Sequence, residues 1–243
     1  MEIIKLDATE STNSYLKELV KRNTVQDFAV VVAKTQTKGR GQMDSSWQTE
    51  PGKNLTFSVL KEMSGFTLDK HFILNMSVAL AVYNSLKSLQ VPRIKIKWPN
   101  DIMSGSFKIC GILIENIISG TDLKSAIIGI GLNVNQIHFP GNPKASSLKN
   151  KTQKDFDLDE LLHALLQNLK SGLSNLEIGS THEIYKEYQS NLFRRGVAST
   201  FQNMNGSTFS GIILGVSKEG MLLVQLENDT LQQFDIKEIK LLF

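Results

Sequence analysis

Four short segments carry residue types suited to handling an anionic substrate. Lys38-Gly39-Arg40-Gly41-Gln42-Met43-Asp44-Ser45-Ser46-Trp47 sets an arginine between two glycines and ends on an indole. Glycine lets backbone approach a ligand and adopt positive φ, and a guanidinium suits carboxylate or phosphate. Lys97-Trp98-Pro99-Asn100-Asp101 gathers a cation, an amide and a carboxylate within five residues. Ile128-Gly129-Ile130-Gly131-Leu132-Asn133-Val134-Asn135 alternates apolar residues with glycine and then asparagine. Ser11-Thr12-Asn13 offers two hydroxyls and an amide, both donors and acceptors. Read alone, that last triplet serves equally well as a helix cap.

The elements around these segments set where they stand. Glu2 to Leu6 reads as a short strand, and Tyr15, Leu16, Leu19 and Val20 recur at helical spacing just after Ser11-Thr12-Asn13. A helix start also presents free N–H groups and a positive dipole end. The glycine loop lies between strand-like runs at Phe28–Thr35 and Leu55–Leu60, longer than a hairpin needs. A helix with one apolar face is predicted from Asp69 to Leu89. Strict alternation in Arg93–Trp98 puts Ile94, Ile96 and Trp98 on one face and Lys95 and Lys97 on the other, and Pro99 stops that strand. Ser104–Phe107 is a turn. Lys108–Ile118 and Ser125–Val134 form a strand pair joined at Ser119-Gly120-Thr121-Asp122. On the second of these, one whole face is Gly129, Gly131, Asn133 and Asn135, which builds no core. Glycine there marks close approach by a ligand, another backbone or a tightly packed helix. His138–Asp155 reads as an irregular connection. Asp157-Leu158-Asp159-Glu160 then caps a leucine-rich helix, whose face is core or a subunit contact, and Thr181–Ser190 is a further helix. From Arg194-Arg195-Gly196 onward, short strand-like runs alternate with turn signals and predict a five-stranded β unit. The division expected is 1–193 and 194–243.

Length and composition bound the function. A chain of 243 residues suits one large domain, or one with a small companion. Twenty-seven basic residues against 24 acidic give a net charge of only +3, without a long basic run, which argues against a dedicated nucleic-acid binder. Cys110 is the single cysteine and sits in an apolar run, a buried small hydrophobe rather than a nucleophile. The four histidines are scattered, so no metal site is expected. The N-terminus does not read as a signal peptide, and no run is long enough to span a membrane. A soluble, cytoplasmic location is expected.

The segments Ser11-Thr12-Asn13, Lys38–Trp47, Lys97-Trp98-Pro99-Asn100-Asp101 and Ile128–Asn135 together resemble the signature of the biotin protein ligases, or biotin–[acetyl-CoA-carboxylase] ligases. The resemblance implies an α/β (α+β) fold: a mixed sheet with helices on one side, as in class II aminoacyl-tRNA synthetases, plus a small SH3-like C-terminal β-barrel. It implies that biotin is activated by ATP, with Mg²⁺, to biotinyl-5′-AMP, and that biotin then passes to a lysine of a biotin carboxyl carrier protein. A lipoate or octanoate ligase shares this fold and adenylation logic. Carried over by position, Ser11, Thr12, Asn13, Gln36, Gly39, Arg40, Gly41, Gln42 and Lys97 contact biotin or its adenylate. Trp47, Asn54 and Asn133 join Arg40 and Lys97 at the adenylate end, and Gly111 and Gly129 let backbone close on the ligand. Arg40 and Lys97 are the expected catalytic cations, because an anion must be brought onto a polyanion.

The chain departs from the family pattern in the loop. Relatives commonly continue Gly-Arg-Gly-Arg with a further glycine before the tryptophan; here Gln42 stands in the fourth position and Met43-Asp44-Ser45-Ser46 holds neither. Lys38 is the expected compensating cation. Many relatives also carry an upstream winged helix-turn-helix, for which ten residues before Ser11 are too few. Partners expected are therefore the carrier protein alone, with no DNA and no membrane, the enzyme being a monomer or homodimer.

Overall fold

The computed structural model describes residues 1–43, 45–67, 71–120, 122–177 and 181–243. Asp44 of the loop, the expected helix start at Asp69 and Thr121 of the expected turn lie outside the described residues. The first β-α-β unit is β1 (Ile3–Thr9), α1 (Thr12–Lys21) and β2 (Val30–Gln36), with β1 and β2 parallel. After the glycine loop come β3 (Leu55–Thr67), α2 (His71–Ser88), β4 (Ile94–Lys97), β5 (Asp101–Ser104), β6 (Phe107–Ser119) and β7 (Asp122–Leu132). These strands form a mixed seven-stranded sheet in the order β1-β2-β3-β7-β6-β5-β4.

The sheet is covered on both faces, which corrects the expectation of helices on one side only. Alternation sends Val30, Phe57, Val59, Ile128 and Ile130 into the main core under α2 and α4 (Leu158–Glu177). The neighbouring residues Val31, Leu60 and Ile127 point the other way, onto Leu16 of α1. Helix α2 is not a one-faced helix. Twelve of its 18 residues are buried, because it lies between the sheet and the α4 and α5 (Thr181–Ser190) layer. Its buried hydroxyls bond back within the helix, Ser77 to Ile73 O and Ser85 to Ala81 O. The leucine face of α4 is core: Leu161, Leu162, Leu165, Leu166, Leu169 and Leu173 are all buried. Asp157 caps this helix, its Oδ1 accepting from Asp159 N and Glu160 N at 2.9 Å each.

Two elements escape the periodicity. Strand β4 ends at Lys97, before Pro99 as expected, but a further four-residue strand, β5, begins at Asp101. Within the connection expected to be irregular, Leu148–Thr152 forms the short helix α3, capped by Ser147. No helix among the described residues is long and apolar enough to cross a membrane.

The second sheet is antiparallel and five-stranded, in the order β11-β10-β9-β8-β12. Its strands are β8 (Ala198–Asn203), β9 (Thr208–Val216), β10 (Leu222–Leu226), β11 (Leu231–Phe234) and β12 (Ile239–Leu242). Between β11 and β12 the chain turns at Asp235–Glu238, where Glu238 N donates to Asp235 O. Phe209 stacks between Phe201 and Phe234 at 5.6 Å on either side. The chain pairs with β4 at Leu192 and with β9 at Arg195, so it changes sheets within three residues. The turn at Gly220 docks the small sheet on the large one: Trp98 Nε1 donates to Gly220 O at 2.9 Å.

Candidate functional site

Cross-strand register draws the site. One row of the sheet reads Ala33, Thr56, Gly131, Gly111, Asp101, Lys97, across six neighbouring strands. The next reads Val31, Ser58, Gly129, Leu113. Paired residues share a face, so glycines leave a trough in the sheet's α1 side. The N-terminus of α1 abuts one end of the trough, the 38–47 loop covers it, and Asp101 with its lysines stands at the other end.

At the α1 end, Ser11, Thr12, Asn13 and Ser58 are all buried. Ser11 occupies the N-cap position but makes no side-chain cap bond, so capping is not what its hydroxyl does. Gln36 Oε1 instead accepts from Thr12 N at 2.8 Å and Thr12 Oγ1 at 3.1 Å. Ser58 Oγ lies 2.7 Å from Thr12 Oγ1 and donates to Asn13 Oδ1 at 2.6 Å. Asn13 Nδ2 donates onward to Glu115 Oε2 at 2.7 Å, and Arg40 Nη2 reaches that same oxygen at 2.8 Å. Buried polar groups are tolerable only when bonded, and this chain of bonds holds each one in a single orientation.

The loop is a small hairpin. Gly41 N donates to Ser45 O at 2.7 Å and Trp47 N to Gly39 O at 2.9 Å, with Arg40 bridged to Ser46. Gly39 and Gly41 do not use positive φ, contrary to the expectation for them. Gly39 is needed because a Cβ there would stand 2.3 Å from Trp47 O, whereas at Gly41 a Cβ would meet only the rotatable Ser45 Oγ, at 2.4 Å. The glycine trough is likewise filled by the chain's own side chains. A Cβ on Gly131 would meet the Trp47 indole at 2.4 Å, and one on Gly111 would meet it at 3.2 Å. At Gly129 a Cβ would fall 2.3 Å from Asn13 Oδ1. The space left is about 50 Å³, far below the roughly 300 Å³ or more of a small-molecule site, so the Trp47 indole that fills the glycine trough must shift for a ligand to enter. Trp47 Nε1 is buried here without a hydrogen-bond partner, a donor that a ligand acceptor would satisfy.

At the other end the structure separates two lysines. Lys108 lines the enclosed space, donates to Asp101 Oδ1 at 2.6 Å and lies 5.5 Å from the Trp47 ring centroid. Lys97, the expected catalytic cation, is not in that space. It lines an adjoining cleft of about 390 Å³ against the small sheet, 3.5 Å from Asp101 Oδ2 and 5.9 Å from the Phe243 ring centroid. Among the described residues four lysines, 97, 108, 144 and 240, line that cleft against one acidic side chain, Asp101, with Lys144 also bonded to the backbone oxygen of Phe243, an excess of cations that suits a polyanion. Gln42, Asn100 and Lys108 line both spaces and so stand at their junction.

Lys108, Ser58 and Glu115 are the site neighbours that sequence reading passed over. Their signal was available in part: Lys108 and Glu115 flank Gly111 in the strand already singled out. Asn54 and Asn133, expected at the adenylate end, line neither space. Asn54 Oδ1 accepts from Val134 N at 2.8 Å and its Nδ2 donates to Gln136, while Asn133 Nδ2 donates to Ser146 O. Both are buried and pin the connections beneath the site. Lys38 points away from it, its Nζ 2.7 Å from Glu10 Oε1. Cys110 is fully buried, and burial pushes its thiol far above its ordinary range, as suits a core residue.

Residues 6–133, which hold the trough, the loop and both lysines, match the model of the biotin/lipoate A/B protein ligase family. The chain belongs to that family. Among family members, it is 30% identical over 227 residues to the bifunctional ligase/repressor BirA of Bacillus subtilis, spanning 92% of this chain and 69% of that one. It is 30% identical over 167 residues to the biotin–[acetyl-CoA-carboxylase] ligase of Paracoccus denitrificans, 66% of this chain and 68% of the other. The fold superposes on the biotin protein ligase of Aquifex aeolicus in complex with biotin and ATP. The TM-score is 0.83 at 28% identity, covering 99% of this chain and 98% of that one.

This geometry makes a ligase-family glycine testable by itself. Gly129→Ala is expected to leave the protein folded and lower biotin affinity by about a hundredfold. The added methyl displaces the Asn13 amide, and with it a network bonded at both ends. Isothermal titration with biotin checks it; wild-type affinity would mean that Asn13 takes no part in binding.

Proposed function

We propose that this chain is a biotin protein ligase. It joins biotin to AMP at the expense of ATP and transfers the biotinyl group to a lysine of a biotin carboxyl carrier protein. The observation that carries the reading is the trough itself, polar at the α1 end and cationic at the Lys108 end, under a loop whose Trp47 indole fills it. A ureido ring, with one acceptor and two donors, fits the first end, where Thr12, Asn13 and Gln36 are already oriented. The valerate carboxylate fits the second.

In the first step the biotin carboxylate oxygen bonds to the α-phosphorus of ATP, the α–β bridging P–O bond breaks, and pyrophosphate leaves. Lys108, held by Asp101, meets the charge where the two substrates join, and Arg40 faces it from the loop. Lys97 and the other cleft lysines carry the departing pyrophosphate. In the second step a carrier lysine amine attacks the acyl carbon and AMP leaves. Trp47 and the closed loop exclude water from the mixed anhydride between steps. No cluster of three acidic, histidine or cysteine groups among the described residues could hold a metal. Mg²⁺, which binds substrate phosphates with few protein carboxylates, would neutralise charge on the nucleotide. In this reading residues 1–193 bind and activate biotin, and residues 194–243 wall the nucleotide side of the cleft.

The test is a titration of biotin followed by pyrophosphate release with ATP, repeated with lipoate and octanoate. Release that depends on biotin alone is expected. Release with lipoate or octanoate and none with biotin would overturn the assignment.

A further inference from the structure

Among the described residues Glu115 is the one carboxylate bonded into the α1 end of the trough, and neither step of the reaction uses it. It sits on β6, on the face shared by Gly111 and Leu113, with its side chain 22% exposed. A single oxygen, Oε2, accepts from two elements at once: Asn13 Nδ2 on α1 at 2.7 Å and Arg40 Nη2 on the loop at 2.8 Å. We propose that Glu115 is a positioning residue for the ligation reaction, a latch that ties the closed 38–47 loop to the ring-binding end of the site and aims Arg40 into it. The inference rests on the biotin-ligase reading for its consequence, though the latch itself is a property of the ligand-free protein.

The physical argument is one of reach and of spare donors. Among the described residues the loop's other hydrogen bonds are mostly internal to its hairpin; Lys38–Glu10 ties its base to the end of β1, and Arg40–Glu115 ties its body to the trough. A guanidinium carries five N–H groups, and one bond from Nη2 leaves others for an incoming carboxylate or phosphate. Latching and ligand binding are therefore compatible, and the latch selects the direction in which the remaining donors point. Because the same oxygen holds Asn13, a ring seated at that end and a closed loop stabilise one another through Glu115. The device lengthens the life of the bound adenylate without touching the reacting atoms.

Glu115→Gln separates this from a merely structural role, since an amide oxygen still accepts from Asn13 but the ion pair is lost. In the ligand-free protein, hydrogen exchange at the Gly41 and Trp47 amides is expected to speed severalfold, and Arg40→Gln is expected to do the same from the loop side. With biotin and ATP, release of preformed biotinyl-adenylate in a chase is expected to quicken about tenfold, the difference between a charge-assisted and a neutral bond, while kcat for pyrophosphate release changes less than about threefold. In an Arg40→Gln background the Glu115 substitution should add nothing further to release, because the pair acts as a unit. Unchanged exchange in both single variants overturns the latch whatever the activity. Additive effects on release overturn it as well, leaving Glu115 a support for Asn13 alone. If wild-type protein releases no pyrophosphate with biotin, the ligase reading fails and the adenylate consequence with it, while the exchange arm still decides whether the latch exists.

Discussion

Lys108→Ala is expected to slow biotin-dependent pyrophosphate release by about a hundredfold or more, the cost of removing a cation, on the order of 3 kcal/mol, from the point where charge develops. Lys97→Ala is expected to cost only about tenfold and to fall mainly on the KM for ATP, as removal of a binding cation does. The ranking reverses what the strand-end motif suggests, and its basis is position. Lys108 lines both the space beneath the loop and the cleft, whereas Lys97 lines the cleft alone. Both variants should fold, because Asp101 keeps one lysine partner in each. Single-turnover pyrophosphate release decides the matter. A Lys97→Ala enzyme that loses adenylation while Lys108→Ala keeps it would return the catalytic role to Lys97.

Gln42→Arg is expected to slow escape of the bound adenylate by about ten- to a hundredfold, since a charge-assisted bond of roughly 1.5–3 kcal/mol replaces a neutral one and such gains fall mainly on dissociation. Gln42 stands where the enclosed space opens into the cleft, the place a phosphate joined to biotin would occupy. Lys38 was the expected substitute for the missing arginine charge. Its pairing with Glu10, outside both spaces, removes the reason for that expectation. Lys38→Ala should therefore leave release unchanged, the exposed pair contributing little. Both variants can be compared in one chase of preformed biotinyl-adenylate. Faster release from Lys38→Ala, or no change in Gln42→Arg, would mean that the loop is not an electrostatic lid at this position.

Much of the frame was determined by the chain's own periodicities. The glycine face of β7 followed from a period of two, and the break between sheets followed from turn residues after Arg194, because both are local backbone properties. The segments Ser11-Thr12-Asn13, Lys38–Trp47 and Ile128–Asn135 were visible for the same reason. What no local pattern could decide was which side chains meet. The register of β4, β5 and β6 aligns Lys97 with Asp101 and Asp101 with Gly111, and this leaves Lys108 rather than Lys97 under the loop. Glu115 joins residues 75 and 102 positions away, and Ser58 bonds a helix that begins 46 positions earlier. Asn133, on the glycine face by period, turned out to pin a backbone carbonyl beneath the site because α3 and its approach fold back there. Alternation specifies a face, but the partner across a sheet is chosen by strand order and register, which arise from packing the whole core.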